Sequence, residues 1–423
     1  MTDPLDAALA AAVDRFVETR PQSAALAARA GDVLPGGNTR SVLHTDPFGI
    51  RIAHADGAVL TTVDGDTVVD LLGDYSAGLL GRRPEVADAI RTVLDRGWGY
   101  GAMSDVEAQF AAALVARFDS VDQIRFTNSG SEADLMAVLT ARHVTGRERI
   151  VVFEGAYHGG PMTFLPGSEP LRVPFEFVVL PYNDLDAVEA VFASDGAQIA
   201  GVLVEPMLGA GGCISASAEF LAGLRRLCDE HGSVLIFDEV MTSRLAVGGA
   251  QEQYAVRADL TVLGKYFAGG LSFGAFGGSA AVMSAYDPAR GGLTHGGTFN
   301  NNLFSMSVGA ALTPLLDAGT LAALNARGDR LRERLLVELA PIGWCATGLG
   351  SMVTIHPVPG PVTAWSDVAT VDPRWRQLLF HELLHRGFYI AQRGYLALSL
   401  AVTDEQLDGF VDAVREVAAI VRG

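Results

Sequence analysis

The chain reads as an α/β protein built on a mainly parallel sheet, and two observations predict it. Between residues 123 and 282 short apolar runs alternate with stretches of helical periodicity, the pattern of strands joined by covering helices. Two of those runs, Leu235-Ile236-Phe237-Asp238 and Thr261-Val262-Leu263-Gly264-Lys265, carry little that is polar before a terminal charge. A strand buried on both faces reads this way when its carboxyl end delivers a functional side chain.

Taken in order, residues 3–30 hold two helices. Leu5, Ala8, Leu9, Ala12, Val13 and Phe16 recur at helical spacing, Pro21 interrupts, and the pattern resumes over 23–30. A glycine-rich loop, Leu34-Pro35-Gly36-Gly37-Asn38-Thr39-Arg40, ends in a cation. Residues 50–72 give short strands, with Asp56-Gly57 and Asp64-Gly65 as hairpin signals. Helical periodicity covers 84–96 and 105–118, and the loop between them carries Trp98 and Tyr100. Strands follow at 124–127, 150–153, 177–180, 199–204 and 234–238, with helices at 132–145, 185–192 and 218–231. Ala275-Phe276-Gly277-Gly278 should lead into a return strand at 280–282. One long helix is expected over 305–336, then strands at 352–356 and 395–400 and helices at 375–386 and 404–421.

A length of 423 residues exceeds what one core usually serves, so more than one domain is expected. A formal net charge of −18 speaks against nucleic acid or an anionic membrane as partner. Cys213, Cys228 and Cys345 are too scattered for a disulfide framework or a zinc site. The N-terminal stretch is amphipathic without the apolar centre of a signal peptide, and no window reaches a membrane span. A soluble, cytoplasmic protein is the expectation.

Asp238 and Lys265 lie 27 positions apart, enough for a loop and a short helix between neighbouring strand ends. Pyridoxal phosphate needs such a pair: a lysine for its Schiff base and an acid beside its pyridine nitrogen. On these two strands alone an ordinary buried ion pair fits as well. Other stretches add to the first reading. Thr127-Asn128-Ser129-Gly130-Ser131-Glu132 is a small-residue turn opening a helix, a natural phosphate seat. Ala156-Tyr157-His158-Gly159-Gly160 sets an aromatic beside glycines, and Gly297-Thr298-Phe299-Asn300-Asn301-Asn302 forms a second polar loop. In this order and spacing the set resembles the class III (ω-type) aminotransferases of fold-type I, from about Val33 to the C-terminus. Within the class it is most similar to the β-amino acid transaminases of the β-phenylalanine type, with glutamate-1-semialdehyde aminomutases as near relatives.

The resemblance implies a large domain with a mainly parallel seven-stranded sheet plus a smaller α+β domain, divided as 1–75, 76–310 and 311–423. It implies pyridoxal 5'-phosphate as cofactor, bound through Lys265, with Asp238 at the pyridine nitrogen. Ser129, Gly130 and Ser131 would seat the phosphate, and Tyr157 would stack on the ring. His158 matches a position the family often fills, with a supporting role as the alternative. Glu205 matches an acid near the cofactor's hydroxyl edge, and Met241 is either on the substrate side or a core residue. Thr298 matches a residue lent to the neighbouring subunit's phosphate, which implies a homodimer with shared sites. Tyr75 lies in a region placed near the substrate. Arg393, in Gln392-Arg393-Gly394-Tyr395, matches the arginine that takes an acid substrate's carboxylate. Arg40 is the second such candidate and points to β-amino acids, whose carboxylate stands one carbon further from the amine.

An amino donor and a keto acid acceptor, 2-oxoglutarate or pyruvate, are the implied substrates. The competing activity is an aminomutase that moves an amine within one molecule. Such relatives usually carry Asp-Glu-Val-Met-Thr-Gly-Phe-Arg where this chain has Asp238-Glu239-Val240-Met241-Thr242-Ser243-Arg244-Leu245. A catalytically silent binding protein would require loss of Lys265 or Asp238, and both are present.

Overall fold

The computed structural model describes residues 3–290 and 292–422. Residues 1, 2, 291 and 423, which the expected division of the chain includes, lie outside the described residues.

Among the described residues there are sixteen strands: β1 (Ile52–Asp56), β2 (Val59–Thr62), β3 (Thr67–Asp70), β4 (Gln123–Thr127), β5 (Arg149–Phe153), β6 (Phe177–Leu180), β7 (Ile199–Val204), β8 (Met207–Leu208), β9 (Ile214–Ser215), β10 (Val234–Asp238), β11 (Leu260–Gly264), β12 (Gly274–Gly278), β13 (Cys345–Leu349), β14 (Met352–His356), β15 (Phe388–Tyr389) and β16 (Tyr395–Ala397). Seven form the central sheet in the order β4-β12-β11-β10-β7-β5-β6. All its pairings are parallel except those of β12, which runs antiparallel to both β11 and β4. The fold is therefore the fold-type I architecture of the sequence reading. Strands β7, β10 and β11 are buried along their whole length, which explains their unbroken apolar runs. Helices Gly130–Thr145 and Ala218–His231 pack on this sheet, with Ala137, Val138, Leu221 and Leu224 in one continuous core with β5, β7 and β10.

The return strand is β12, not 280–282. Its glycines make it look like a loop, yet each glycine allows a close approach. A Cβ on Gly274 would stand 2.1 Å from the Ser129 carbonyl oxygen, and one on Gly278 would stand 2.2 Å from that of Asp259. Residues Ala280–Met283 are helical instead, capped by the Ser279 hydroxyl accepting from the Val282 N–H. The expected helix over 305–336 is two helices, Leu303–Leu312 and Ala318–Leu339, bent by 81°. Pro314 lies in the single turn Thr313–Leu315 between them, and Asp317 caps the second helix. The strand expected at 395–400 stops at Ala397, and the helix expected to reach 118 stops at Val115.

Among the described residues three smaller sheets accompany the large one, the least of them the antiparallel pair β8-β9. The meander β1-β2-β3 is joined by β15 from the far end of the chain, with Phe388 opposite Val69. The third is β13-β14-β16, all antiparallel. Among the described residues no single helix is long and apolar enough to cross a membrane.

Candidate active site

Asp238 ends β10, in register with Val262 of β11. Lys265 follows β11 directly, so the two strand ends bring acid and amine to one edge of the sheet. Lys265 has φ +57, a left-handed backbone that non-glycine residues seldom adopt and that is concentrated at functional positions. Its side chain makes no hydrogen bond or ion pair among the described residues. Burial lowers its pKa, and the negative charges of Asp238 and Glu205 pull it partly back up.

Asp238 is held from two sides. Its Oδ1 accepts the Val240 N–H at 3.0 Å, and its Oδ2 meets Nδ1 of the fully buried His158 at 2.8 Å. His158 thus stands behind the acid as its support, the alternative left open for it by the sequence. Beside it Gly159 has φ +97, and a Cβ there would stand 2.1 Å from Ser131 Oγ. Only glycine lets that loop close onto the start of the helix.

That helix, Gly130–Thr145, is capped by Ser129, whose Oγ accepts the Glu132 N–H at 3.2 Å. Glu132 reaches back to the Asn128 N–H at 2.8 Å, an arrangement close to a capping box. The N–H groups of Gly130 and Ser131 have no partner among the described residues. Free donors at the positive end of a 16-residue helix form a seat for an anion such as phosphate.

Glu205 is buried, and its two oxygens accept the N–H groups of Tyr157 and Gly209, both at 2.9 Å. Burial pushes its pKa to about 7, with Asp238 adding to the rise and His158 opposing it. Glu205 thereby fixes the backbone under Tyr157, whose ring is left partly exposed. Met241 packs on Gly209, where a Cβ would meet its sulfur at 2.1 Å, and borders the apolar cluster of Met207, Leu245 and Tyr395. Glu239, the acid next to Asp238, is fully buried and accepts from Thr242 Oγ1 and the N–H groups of Ala250 and Gln251. It holds the turn after β10.

Arg40, Tyr75 and Arg393 also come together. The guanidinium of Arg40 lies 5.4 Å from the centre of the Tyr75 ring and that of Arg393 lies 5.1 Å from it. Arg393 also lies 5.2 Å from the Tyr395 ring, which is parallel to Tyr75. Arg393 sits in a tight turn closed by Gly394, at φ +88, where a Cβ would stand 2.3 Å from the Ile355 carbonyl oxygen. No carboxylate pairs with Arg393 among the described residues, and its Nε is buried without a partner. Arg40 pairs with Asp74 at 2.7 Å, with side chains 46% and 59% exposed. An ion pair so open to water is worth about 0–1 kcal/mol, so Arg40 can exchange it readily.

The segment beneath is strained. Gly73, Asp74, Tyr75 and Ser76 all have positive φ, from +45 to +75, a short left-handed turn. Each non-glycine residue in it costs roughly 1–2 kcal/mol. The Gly78 N–H to Gly73 carbonyl bond and the Tyr75 hydroxyl donating to the Val42 carbonyl at 2.9 Å hold it. Thr298 is not brought to the other residues: it lies on an exposed loop, tied through Asn300 Oδ1 to Asn128 Nδ2 at 3.0 Å.

One residue escaped the sequence reading. Asp134, on the helix that starts at Gly130, is 1% exposed and faces His158 and Asp238. The signal was its position: Asp134, Ala137, Val138 and Ala141 share one helix face, and the other three are apolar core.

The aminotransferase class-III family pattern matches residues 41–418. The chain belongs to the class III aminotransferases. This aminotransferase is 45% identical over 414 residues to the beta-phenylalanine transaminase of Variovorax paradoxus, covering 97% of this chain and 95% of the relative. A solved β-phenylalanine aminotransferase of that organism superposes on it with a TM-score of 0.96 at 44% identity, over 97% of both chains. It is also 37% identical over 419 residues to a glutamate-1-semialdehyde 2,1-aminomutase of Nitratidesulfovibrio vulgaris, covering 94% of this chain and 99% of that one. A transaminase solved with pyridoxal phosphate bound matches with a TM-score of 0.86 at 32% identity, over 95% of this chain and 98% of that one. Pyridoxal phosphate is the cofactor of this enzyme. The unpartnered Lys265 amine and the free N–H groups of Gly130 and Ser131 fit it.

Proposed function

We propose that this aminotransferase takes the amino group of a β-amino acid and passes it to a keto acid, 2-oxoglutarate or pyruvate, in a ping-pong sequence with one half-reaction for each acid. The observation that carries the reading is Arg393, a cation at the site with no carboxylate partner among the described residues, sharing Tyr75 with a second arginine. A planar guanidinium binds a carboxylate in two-point fashion. Two of them suit two acids whose carboxylates stand at different distances from the reacting carbon. The relative at 45% identity is a beta-phenylalanine transaminase, which agrees with such a donor.

Pyridoxal phosphate, when bound, supplies a ring that takes up the electrons left as a proton departs from the amine-bearing carbon. The protein does the rest. Lys265 would hold the cofactor through its Nζ, and its amine, once free, would carry the proton taken from the substrate carbon. The lowered pKa of its amine keeps a neutral base at hand. Asp238, propped by His158 and Val240, would stand beside the pyridine nitrogen and keep it protonated. Ser129, Gly130 and Ser131 would hold the phosphate, Tyr157 would cover the ring, and Glu205 and Met241 would shape its edge. Arg393 receives the α-carboxylate of the keto acid, and Arg40 leaves Asp74 to take the carboxylate of the β-amino acid.

A donor panel tests this. Bleaching of the cofactor's absorbance by β-amino acids, with turnover only when a keto acid is added, is the expected result. Turnover of a single amino aldehyde without any keto acid would establish the aminomutase instead. Conversion of α-amino acids or plain amines, with β-amino acids inert, would remove the donor assignment.

Thr298 bears on assembly. Its exposed loop, with Phe299 beside it 64% exposed, suits contact with a second copy whose phosphate Thr298 reaches. Mixing inactive Lys265→Ala chains with Thr298→Ala chains should restore part of the activity, since each hybrid dimer holds one intact site. Hybrids that form without any recovery would place Thr298 in its own subunit's site.

A further inference from the structure

The carboxyl groups of Asp134 and Asp238 face each other in the protein interior, 1% and 4% exposed, with the His158 ring beside them. One side-chain oxygen or nitrogen from each of the three residues lies within 4.8 Å of the other two. Two carboxylates so placed cannot both ionise, because each would face the other's charge in a medium that screens it poorly. The pair must therefore share a proton, and the surrounding donors decide where it rests. Asp238 accepts from the Val240 N–H and contacts His158 Nδ1, so a negative charge there is stabilised. Asp134 Oδ1 has no partner, and an anion there would be stranded.

We propose that Asp134 is a positioning residue: it retains the shared proton, donates it to Asp238, and so fixes the orientation of the ionised Asp238 toward the pyridine nitrogen. This rests on the reading of Asp238 as the partner of that nitrogen. Burial, followed by the charges of Asp238 and Glu205, holds the Asp134 carboxyl well above the usual carboxylate range, and Lys265 opposes them. The charged and titratable groups facing it are Asp238 at the end of β10, Glu205 after β7, Lys265 after β11 and His158 on the adjoining loop. No arginine pairs with Asp134 among the described residues. The helix Gly130–Thr145 that presents the phosphate seat thus also presents the third support of Asp238, which couples the two ends of the cofactor through one rigid element.

The substitutions that test this are Asp134→Asn and Asp134→Leu. Asparagine keeps the shape and a donor but has no charge; leucine keeps bulk and has no donor. Two quantities would be read: the affinity of the apoenzyme for pyridoxal phosphate, and the NMR shift of the ring nitrogen in cofactor labelled at that atom. Asp134→Asn should leave both close to wild type, and its infrared spectrum should lack one protonated-carboxyl band that wild type shows. Asp134→Leu should weaken cofactor binding by about ten- to a hundredfold, the loss of one hydrogen bond to a charged group, and should move the ring-nitrogen shift toward the unprotonated form. Loss of affinity in Asp134→Asn comparable to that in Asp134→Leu would show that Asp134 acts as an anion and would overturn the proposal. So would an unchanged ring-nitrogen shift and affinity in Asp134→Leu. If the leucine variant does not fold, the asparagine variant decides alone, since an infrared spectrum identical to wild type's is incompatible with a protonated Asp134. Asp238→Asn is measured alongside: a ring-nitrogen shift unmoved by that change would refute the role of Asp238 itself, a failure separate from that of Asp134.

Discussion

Lys265→Ala is expected to abolish turnover while leaving the fold intact. The backbone at 265 is left-handed in either case, so alanine inherits the φ of +57 at a comparable cost, roughly 1–2 kcal/mol. The side chain forms no hydrogen bond or ion pair among the described residues, and its removal also relieves the desolvation that lowers its pKa. Thermal unfolding of the apoenzyme should therefore show no loss of stability. Catalysis should suffer at both points where the amine acts. Loss of a positioned proton carrier alone is worth about 10²–10⁴-fold, and loss of the covalent link to the cofactor adds to it. Borohydride should fix the cofactor to the wild-type chain at Lys265 and fail to fix it to the variant. A reduced adduct mapped to another residue would remove Lys265 from its role.

The arginines should separate the two half-reactions. Among the described residues Arg393 has no carboxylate partner and lies over the Tyr75 and Tyr395 rings, so a carboxylate bound there meets an unpaired cation. Removing one partner of such a desolvated pair costs about 2–5 kcal/mol. In kcat/KM for the keto acid this is roughly 30-fold to several-thousand-fold. Arg393→Ala should therefore stall return of the amino group to pyruvate while bleaching by a β-amino acid proceeds at a far smaller loss. Pyruvate is the more decisive acceptor, because the distal carboxylate of 2-oxoglutarate can also reach for Arg40. A stalled donor step with a normal acceptor step would reverse the two assignments.

How far the sequence alone reached depends on how local each cause is. Asp238 and Lys265 are visible because a buried parallel strand ending in a charge is rare without a reason, and register then makes them neighbours. The phosphate seat is visible because small residues before a capping serine mark a helix start. The break at Pro314 was legible in principle, since proline removes the donor a continuous helix needs, but the apolar periodicity on both sides masks it. β12 was not legible: its glycines look like a loop until the carbonyls of β4 and of the turn before β11 are seen pressing on them. Asp134 was hidden for the same reason. An acid on an apolar helix face makes sense only beside Asp238 and His158, which other elements supply from far along the chain. The left-handed turn at 73–76 has no composition signal beyond Gly73, because Asp74, Tyr75 and Ser76 adopt it under tertiary constraint.

The donor assignment is tested most directly in Arg40→Ala by single-turnover bleaching of the cofactor's absorbance. Two donors are compared, a β-amino acid and an arylalkylamine without a carboxylate. On the proposed assignment Arg40 would exchange its exposed pair with Asp74 for the substrate's carboxylate, so its loss should slow the β-amino acid far more than the plain amine. Equal losses for the two donors would show that Arg40 only shapes its loop and would contradict the β-amino acid assignment.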